Sequence, residues 1–116
     1  MGFFDGNVQA NIEDAIINTF FESELMGVKH SQLFKLDDRN FQTSFKRRIA
    51  QRINERLASD GSISLLAHEI AEKCVGSYES EMIYILAQNP LPIQIARDYH
   101  AYLTKKRIER ELNVVA

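Results

Sequence analysis

The side chains that could perform chemistry are few in this sequence, and their spacing does not match a known kind of site. The histidines are His30, His68 and His100, and no two of them are four residues apart as in a helical zinc site. One cysteine, Cys74, is too few for an ordinary thiolate zinc site. Adjacent carboxylates suit helix capping better than general acid–base catalysis, which needs groups that converge in a cleft. We therefore predict no catalytic residue, no metal site and no cofactor.

Two further kinds of site can be weighed from residue type. Cys74 falls on an apolar stripe, which favours a buried structural thiol over a nucleophile. Neither GxxxxGKS/T nor GxGxxG occurs, so this sequence by itself is not a P-loop ATPase. The tyrosines could stack on bases of single-stranded nucleic acid, but helical spacing among aliphatic neighbours is more typical of core or interface residues. They are Tyr78, Tyr84, Tyr99 and Tyr102.

The composition is that of an ordinary globular domain. With 116 residues, of which 45% are hydrophobic and 26% charged, one hydrophobic core is expected. No apolar run approaches the roughly 18–20 residues that span a bilayer, and residues 1–14 lack the basic and apolar regions of a secretory signal. A single cysteine fits a reducing compartment. These features predict a cytoplasmic protein without a membrane contact.

Apolar residues recur at helical spacing along most of the chain, and the alternation typical of strands does not occur in the sequence. The pattern predicts a compact all-α bundle of five to six helices. Residues 1–10 contain two glycines and no sustained period, so we expect a flexible arm there and a single helical domain over residues 11–116. Asn11 is the predicted N-cap of the first helix, which should end near residues 22–24. A short helix is expected within residues 25–40.

The clearest helix carries an apolar stripe that recurs every four residues. Its members are Phe41, Phe45, Ile49, Ile53 and Leu57. Asp60 and Gly61 should end this helix, with the glycine in the left-handed conformation. Ser62 or Ser64 is then the expected cap of the next helix. The inward residues of that helix are Ile63, Leu66, Ala67, Ile70 and Cys74.

Two more helices complete the predicted bundle. The first begins at Ser77, and its inward residues are Tyr78, Met82, Ile85 and Leu86. Residues 89–92 (NPLP) break it, because proline removes a backbone donor and restricts the residue before it. Pro92 suits the first turn of the last helix. The helical spacing predicts that the residues of that helix facing the core are Ile95, Tyr99, Tyr102 or Leu103, Ile108 and Leu112.

Charge is unevenly distributed along the chain, although the formal net charge is only −2. Residues 1–40 carry seven acidic and three basic side chains, whereas residues 44–56 carry five basic side chains and one acidic. A solvated helix face explains such a basic stretch, and so does a face that meets an acidic partner or a phosphate backbone. The candidate partner-binding residues are Arg47, Arg48, Arg52 and Arg56 on one helix and Arg97, Lys105, Lys106 and Arg110 on the last.

Five short segments carry a resemblance to a known family. They are residues 12–17 (IEDAII), residues 36–41 (LDDRNF), residues 45–64 with their central glycine turn, residues 84–90 (YILAQNP), and residues 96–112 with their tyrosines and bases. In order and spacing they resemble the N-terminal domain of the DnaB-type replicative DNA helicases, over nearly the whole chain. Two positions depart from the family pattern. Residues 62–64 lack an acid that is common there, and Gln42 replaces an aromatic residue.

The resemblance implies a module of DNA replication. In the family this domain forms a collar above the motor ring, helps to assemble the hexamer, and receives primase and loading factors. The implied partners are a replicative helicase, a primase or a helicase loader, and self-association into a homo-oligomer is left open. Because the family domain continues into a helical hairpin and a motor, the sequence could be a helicase fragment or a free-standing phage or plasmid protein that engages a host helicase.

Two alternatives stay open. The helicase-binding C-terminal domain of bacterial primases has a related all-helical fold and belongs to the same complex. A small helical DNA-binding regulator could instead use the basic helix faces directly. The helix after the glycine turn is a poor phosphate face, however, because Lys73 is a lone base beside His68, Glu69 and Glu72. DNA contact is therefore the secondary expectation.

Overall fold

Five α-helices and two short 3₁₀ turns make up most of residues 2–115, the part of the chain that this computed structural model describes; side chains are described for residues 8–113. The helices are α1 (Gly2–Glu22), α2 (Ser44–Ser59), α3 (Ile63–Lys73), α4 (Ser77–Leu86) and α5 (Ile93–Val115). Within these residues there is no β-strand, and the predicted all-α bundle is confirmed. The short helix expected between α1 and α2 is replaced by two 3₁₀ turns, His30–Gln32 and Asp38–Asn40.

Helix α1 lies at the centre of the bundle and contacts each of the four other helices. Every residue from 13 to 21 is buried, and Ile16, Ile17 and Phe20 have no exposed surface. A helix that is buried on all sides has no face left for solvent, so its acidic and amide side chains also lie inside. The hydrophobic core surrounds it and includes residues from all five helices.

A buried ion cluster joins α1 to α2. Lys46 Nζ lies 2.9 Å from Asp14 Oδ1 and 3.4 Å from Glu13 Oε1, and all three side chains are at most 6% exposed. Glu13 Oε1 also accepts the backbone N–H of Gln42 at 3.0 Å. Burial raises the pKa of the Asp14 carboxyl, and the ion pair with Lys46 opposes that effect. One lysine therefore holds two carboxylates in the interior.

Two other polar side chains of α1 bond the segment between α4 and α5. Asn18 Nδ2 donates to the carbonyl oxygen of Gln88 at 2.6 Å. Thr19 Oγ1 accepts the backbone N–H of Leu91 at 2.9 Å and donates to the carbonyl oxygen of Ala15 at 2.6 Å. Because a buried polar group without a partner is costly, these bonds fix the path of the chain through its two prolines.

Helix α1 extends further toward the N-terminus than the sequence indicates. Residues 2–10, expected to be a flexible arm, are helical, and Met1 lies outside the described residues. Asn11 is consequently an interior helical residue, and its prediction as N-cap is wrong. Ile12 lines a hollow together with Tyr102 of α5. Because α5 is so distant in sequence, its proximity to this part of α1 cannot be inferred from the local spacing of apolar residues.

Short side chains and one proline mark the starts of the later helices. Thr43 caps α2 by accepting a backbone N–H at 3.2 Å, so Phe41 of the predicted stripe is buried but precedes the helix. Ser62, one of the two predicted caps, caps α3 and accepts a backbone N–H at 3.1 Å. Pro92 stands just before α5, not inside its first turn, and its carbonyl accepts the first helical hydrogen bond at 3.0 Å.

The end of α2 differs from the prediction in one residue. Asp60, with φ 57°, takes the left-handed conformation that was expected of Gly61. Glycine suits position 61 for another reason, because a Cβ there would lie 2.8 Å from Cδ of Arg56 and would force that side chain to move. The Arg56 side chain crosses this turn, donating to the carbonyl oxygen of Ser62 at 2.8 Å and to Glu69 Oε2 at 2.9 Å. The turn is therefore shaped around an arginine.

The predicted inward faces of the middle helices are largely correct. Ile49 and Ile53 of α2 are buried, and so are Ile63, Leu66 and Ile70 of α3. In α4 the outcome is divided: Met82 and Ile85 are buried, whereas Tyr78 and Leu86 are 46% and 48% exposed.

The predicted inward face of α5 is mostly wrong. Its buried residues are Ala96, Leu103 and Arg107, of which only Leu103 was among the expected ones. Of the two alternatives Tyr102 and Leu103, the structure buries Leu103 and leaves Tyr102 47% exposed. The other residues expected inside are 39–65% exposed and comprise Ile95, Tyr99, Ile108 and Leu112. The helix is thus rotated away from the orientation that apolar content alone favours.

Polar partners in the connection before α2 explain this rotation. Arg107 donates from Nε to Asn40 Oδ1 at 2.9 Å and from Nη2 to Asp37 Oδ2 at 3.1 Å. His100 Nε2 accepts the backbone N–H of Asp37 at 3.0 Å. Burial lowers the pKa of His100, so the neutral ring that can accept this bond is favoured. These bonds hold the polar side of α5 against the bundle.

Candidate interaction surfaces

The basic group predicted on α2 does not form one continuous surface, because two of its members bond within the chain. Arg47 donates from Nε to the carbonyl oxygen of Phe41 at 2.9 Å and from Nη2 to that of Gln42 at 3.1 Å. Arg56 spans the turn at the other end of the helix. Both guanidinium groups therefore stabilise the turns that flank α2, and less of their hydrogen-bonding capacity remains for a partner.

The other two arginines of this group lie on the side of α2 that faces the end of α3. Arg48 is exposed, and no ion pair involves it in the described part of the chain. Arg52 Nη2 lies 3.7 Å from Glu69 Oε2, and both side chains are more than one third exposed. Such a long, hydrated pair contributes little to stability. Arg48 and Arg52 are therefore the members of the α2 group best placed to meet a partner.

Arg48 and Arg52 line a hollow of about 300 Å³ between α2, the end of α3 and the start of α4, which we call the basic groove. Lys73 supplies a third cation. Phe45, Ile49 and Ile70 supply apolar lining. No carboxylate lines the groove. It thus combines positive charge with an apolar interior, a pairing that the sequence did not reveal because Lys73 looked like an isolated base.

Two further residues complete the basic groove on the α4 side. The ring of Tyr78 stacks on that of Phe45, with centroids 5.1 Å apart and an angle of 12° between the planes. Cys74 is half-buried there, and burial raises the pKa of its thiol, an effect to which Glu79 and Glu81 add. A raised pKa keeps the thiol protonated, which favours the structural interpretation of this cysteine over the nucleophilic one.

The bases predicted on α5 fall at two separate places. Arg97 lies over the ring of Phe34, 5.2 Å from its centroid, near the first 3₁₀ turn. Lys105, Lys106 and Arg110 lie on the distal half of the helix, where Lys105 and Arg110 are exposed and Lys106 is half-buried. The structure therefore does not bring the α5 bases together with those of α2 into one surface.

The outward side of α4 carries large apolar residues, including Leu86, which was expected to face inward, and Ile83, which the helical pattern did not indicate. Ile83, Tyr84 and Leu86 are 64%, 65% and 48% exposed, and we call them the α4 outer face. Residues 82–86 are five consecutive apolar residues, and such a run puts apolar side chains on every side of a helix. Only the side with Met82 and Ile85 is buried. The run itself is the signal that could have identified this face.

No group of three or more histidine, cysteine, aspartate or glutamate side chains is arranged to hold a metal ion among residues 8–113, whose side chains the structure describes. Within residues 2–115, none of the helices has both the length and the apolar character needed to cross a membrane.

Comparison of the chain with family models, curated proteins and solved structures finds no significant match in any of the three. The resemblance to the helicase N-terminal domain therefore stays a prediction from the order of short motifs.

Proposed function

We propose that this chain is a non-catalytic protein-interaction module of DNA replication, acting in the cytoplasm. Its partner in this proposal is a replicative helicase, a primase or a helicase loader, as the motif resemblance implies. The proposal holds equally for a collar domain within a helicase and for a free-standing protein that engages one, with self-association as one form of assembly.

The observation that carries the proposal is the α4 outer face. Large exposed apolar side chains that are neighbours on one helix are unusual for a surface that meets only water, and such patches often mark protein interfaces. Ile83, Tyr84 and Leu86 meet this description within about one turn of a single helix. Tyrosine also suits an interface, because its ring is apolar and its hydroxyl can bond at the rim.

The basic residues favour a protein partner over DNA. Phosphate binding requires several cations on one surface, whereas Arg47, Arg56 and Arg97 bond carbonyl groups of their own chain. The formal net charge of −2 also opposes nonspecific association with a polyanion. Direct DNA binding through the helix faces remains the weaker alternative.

Affinity capture with purified replication proteins tests the proposal. The immobilised chain is incubated separately with replicative helicase, primase and helicase loader at micromolar concentration. We expect at least one of them to be retained. Ile83→Glu should abolish that retention, because it places a charge in the middle of the apolar contact.

Leu65→Glu is the matched control, since Leu65 is 60% exposed on α3 and the substitution makes the same chemical change away from α4. It should leave retention intact. Retention of none of the three proteins, or equal retention by Ile83→Glu and the unaltered chain, would contradict the proposal. A mobility shift of duplex DNA that weakens steeply with salt would favour the DNA-binding alternative.

A further inference from the structure

We infer that the basic groove binds an acidic peptide segment of a partner protein that carries a hydrophobic anchor residue. The inference rests on the proposed function, because it takes the chain to be a protein-binding module. It adds a second contact, distinct from the α4 outer face, and assigns the chemistry of what binds there.

Charge complementarity selects an acidic ligand. Arg48, Arg52 and Lys73 line the groove, and no carboxylate does. Arg48 and Lys73 are exposed, and neither forms an ion pair in the described part of the chain. Three cations around an apolar hollow create a positive potential that attracts carboxylates and is strengthened by the low-dielectric wall behind it. A neutral segment would gain no electrostatic attraction here, and a basic segment would be repelled.

The apolar lining requires an anchor as well as charge. Phe45, Ile49 and Ile70 line the same hollow, whose volume of about 300 Å³ is at the lower limit for ligand pockets. A leucine or phenylalanine side chain can enter such a space, and the flanking carboxylates can then reach the cations at its edge. The stacked rings of Phe45 and Tyr78 give the anchor a flat aromatic surface.

The acidic groups nearby favour a peptide over a nucleic acid. Glu69 Oε2 lies 3.7 Å from Arg52 Nη2. The carboxylates of Glu79 and Glu81 on α4 are close enough to Cys74, in the groove lining, to help raise the pKa of its thiol. A continuous phosphate backbone would pass these carboxylates and be repelled by them. A short peptide can direct its acids toward α2 and α3 and its anchor toward α4.

The test uses a synthetic hexapeptide of sequence Glu-Asp-Leu-Phe-Glu-Asp, with blocked ends, and the purified chain. Cys74 is the only cysteine in the sequence and lines the groove, so its alkylation by N-ethylmaleimide reports occupancy at this place. Saturating peptide should slow the alkylation several-fold. Amide chemical-shift changes should concentrate at the groove residues in a parallel NMR titration.

Two control peptides separate the contributions. Replacing the four acids by glutamine and asparagine, or the two apolar residues by serine, should each weaken binding at least about tenfold, equivalent to about 1.4 kcal/mol. The variant Arg48→Glu with Lys73→Glu should lose binding to the original peptide by at least the same factor. Its control, Lys35→Glu with Lys105→Glu, has the same charge change at exposed positions outside the groove and should bind normally.

Circular dichroism confirms that each variant is folded, and Arg48→Gln with Lys73→Gln offers a milder version of the charge loss. The inference is overturned if the acidic peptide neither protects Cys74 nor shifts groove amides at millimolar concentration. It is also overturned if the neutral peptide binds as well, or if the groove variant binds as the control does. If the peptide binds the groove but no replication protein is retained, this inference stands and the proposed function is defeated. If a replication protein is retained but the peptide does not bind, the proposed function stands and this inference is defeated.

Discussion

Lys46 of α2 and Asp14 of α1 form an ion pair of 2.9 Å inside the bundle, with each side chain 6% exposed. Glu13, fully buried, lies 3.4 Å from the same ammonium group. The interior therefore holds more acid than base at this point, and among the described side chains Lys46 is the one cation in contact with both carboxylates. Removing the Lys46 ammonium group should therefore destabilise the fold.

Lys46→Met should reduce the free energy of unfolding by about 3–5 kcal/mol, because it leaves two buried carboxylates without a cation. Urea unfolding at neutral pH measures the change. Lys105→Met is the control, since Lys105 is exposed, and it should change stability by less than about 0.5 kcal/mol. Adding Asp14→Asn to Lys46→Met should restore part of the loss. A single variant as stable as the unaltered chain would show that the pair is not needed.

His100 should make stability depend on pH near neutrality. Its pKa in the folded chain lies below the ordinary value of 6.5 because of burial, so the unfolded chain binds a proton more readily. The stabilising contribution is therefore complete above about pH 6.5 and is lost as the pH falls through the lower folded pKa. His100→Gln, which keeps an acceptor for the Asp37 N–H, should flatten this part of the profile.

Urea unfolding of both proteins between pH 8 and pH 5 is the measurement. The nearby Asp37 interferes little, because the hydrogen bond from Arg39 lowers the pKa of its carboxyl below the usual range. Burial raises the pKa of the Asp14 carboxyl, but Asp14 is present in both proteins, so its effect cancels when the two profiles are compared. Parallel profiles for the variant and the unaltered chain would refute the role of the histidine.

Asn54 should contribute more to the stability of the fold than a residue on the polar side of a helix usually does. Its Oδ1 accepts the backbone N–H of Leu36 at 2.9 Å, and its Nδ2 donates to the carbonyl oxygen of the same residue at 2.7 Å. Leu36 is 1% exposed, so Asn54→Ala leaves two buried backbone groups unpaired. We expect a loss of about 1–3 kcal/mol. Gln51→Ala, which removes an exposed side-chain hydrogen bond to Asp38, should cost far less.

The same substitution should have different effects at two isoleucines of α4. Ile85 has no exposed surface and belongs to the core, so Ile85→Ala should cost about 2–5 kcal/mol in unfolding free energy. Ile83 is 64% exposed, and Ile83→Ala should change stability by less than about 0.5 kcal/mol while it weakens partner binding. Thermal or urea unfolding distinguishes the two. Similar losses at both positions would mean that Ile83 supports the fold.

Local periodicity was sufficient to predict the middle of the chain. Ile49 and Ile53 recur on one side of α2, with charged residues around them, and they are buried as expected. Ser62 and Ser64 were the two predicted caps of α3, and Ser62 is the one that caps it. Such a cap can be predicted because the side chain bonds an unpaired N–H one turn later, which depends only on neighbours in sequence. These features need no knowledge of the rest of the fold.

The errors occur where distant groups decide the outcome. Arg107 is buried because Asn40 and Asp37, far away in sequence, bond its guanidinium group, and no apolar pattern can show that. With Arg107 turned inward, Tyr99 and Tyr102 lie outward. For a similar reason the sequence could not show that Arg47 and Arg56 bond carbonyl oxygens of their own chain, because the carbonyl positions depend on the three-dimensional fold.

The central position of α1 has a consequence for how this protein can change over time. Substitutions within residues 13–21 disturb neighbours on every side, because each of those residues is buried. The other four helices each touch α1 and keep an exposed side. New recognition properties can therefore be built on α4 and α5 by altering outward residues alone. Substitutions can therefore change the binding partners of such a chain more readily than they can change its fold.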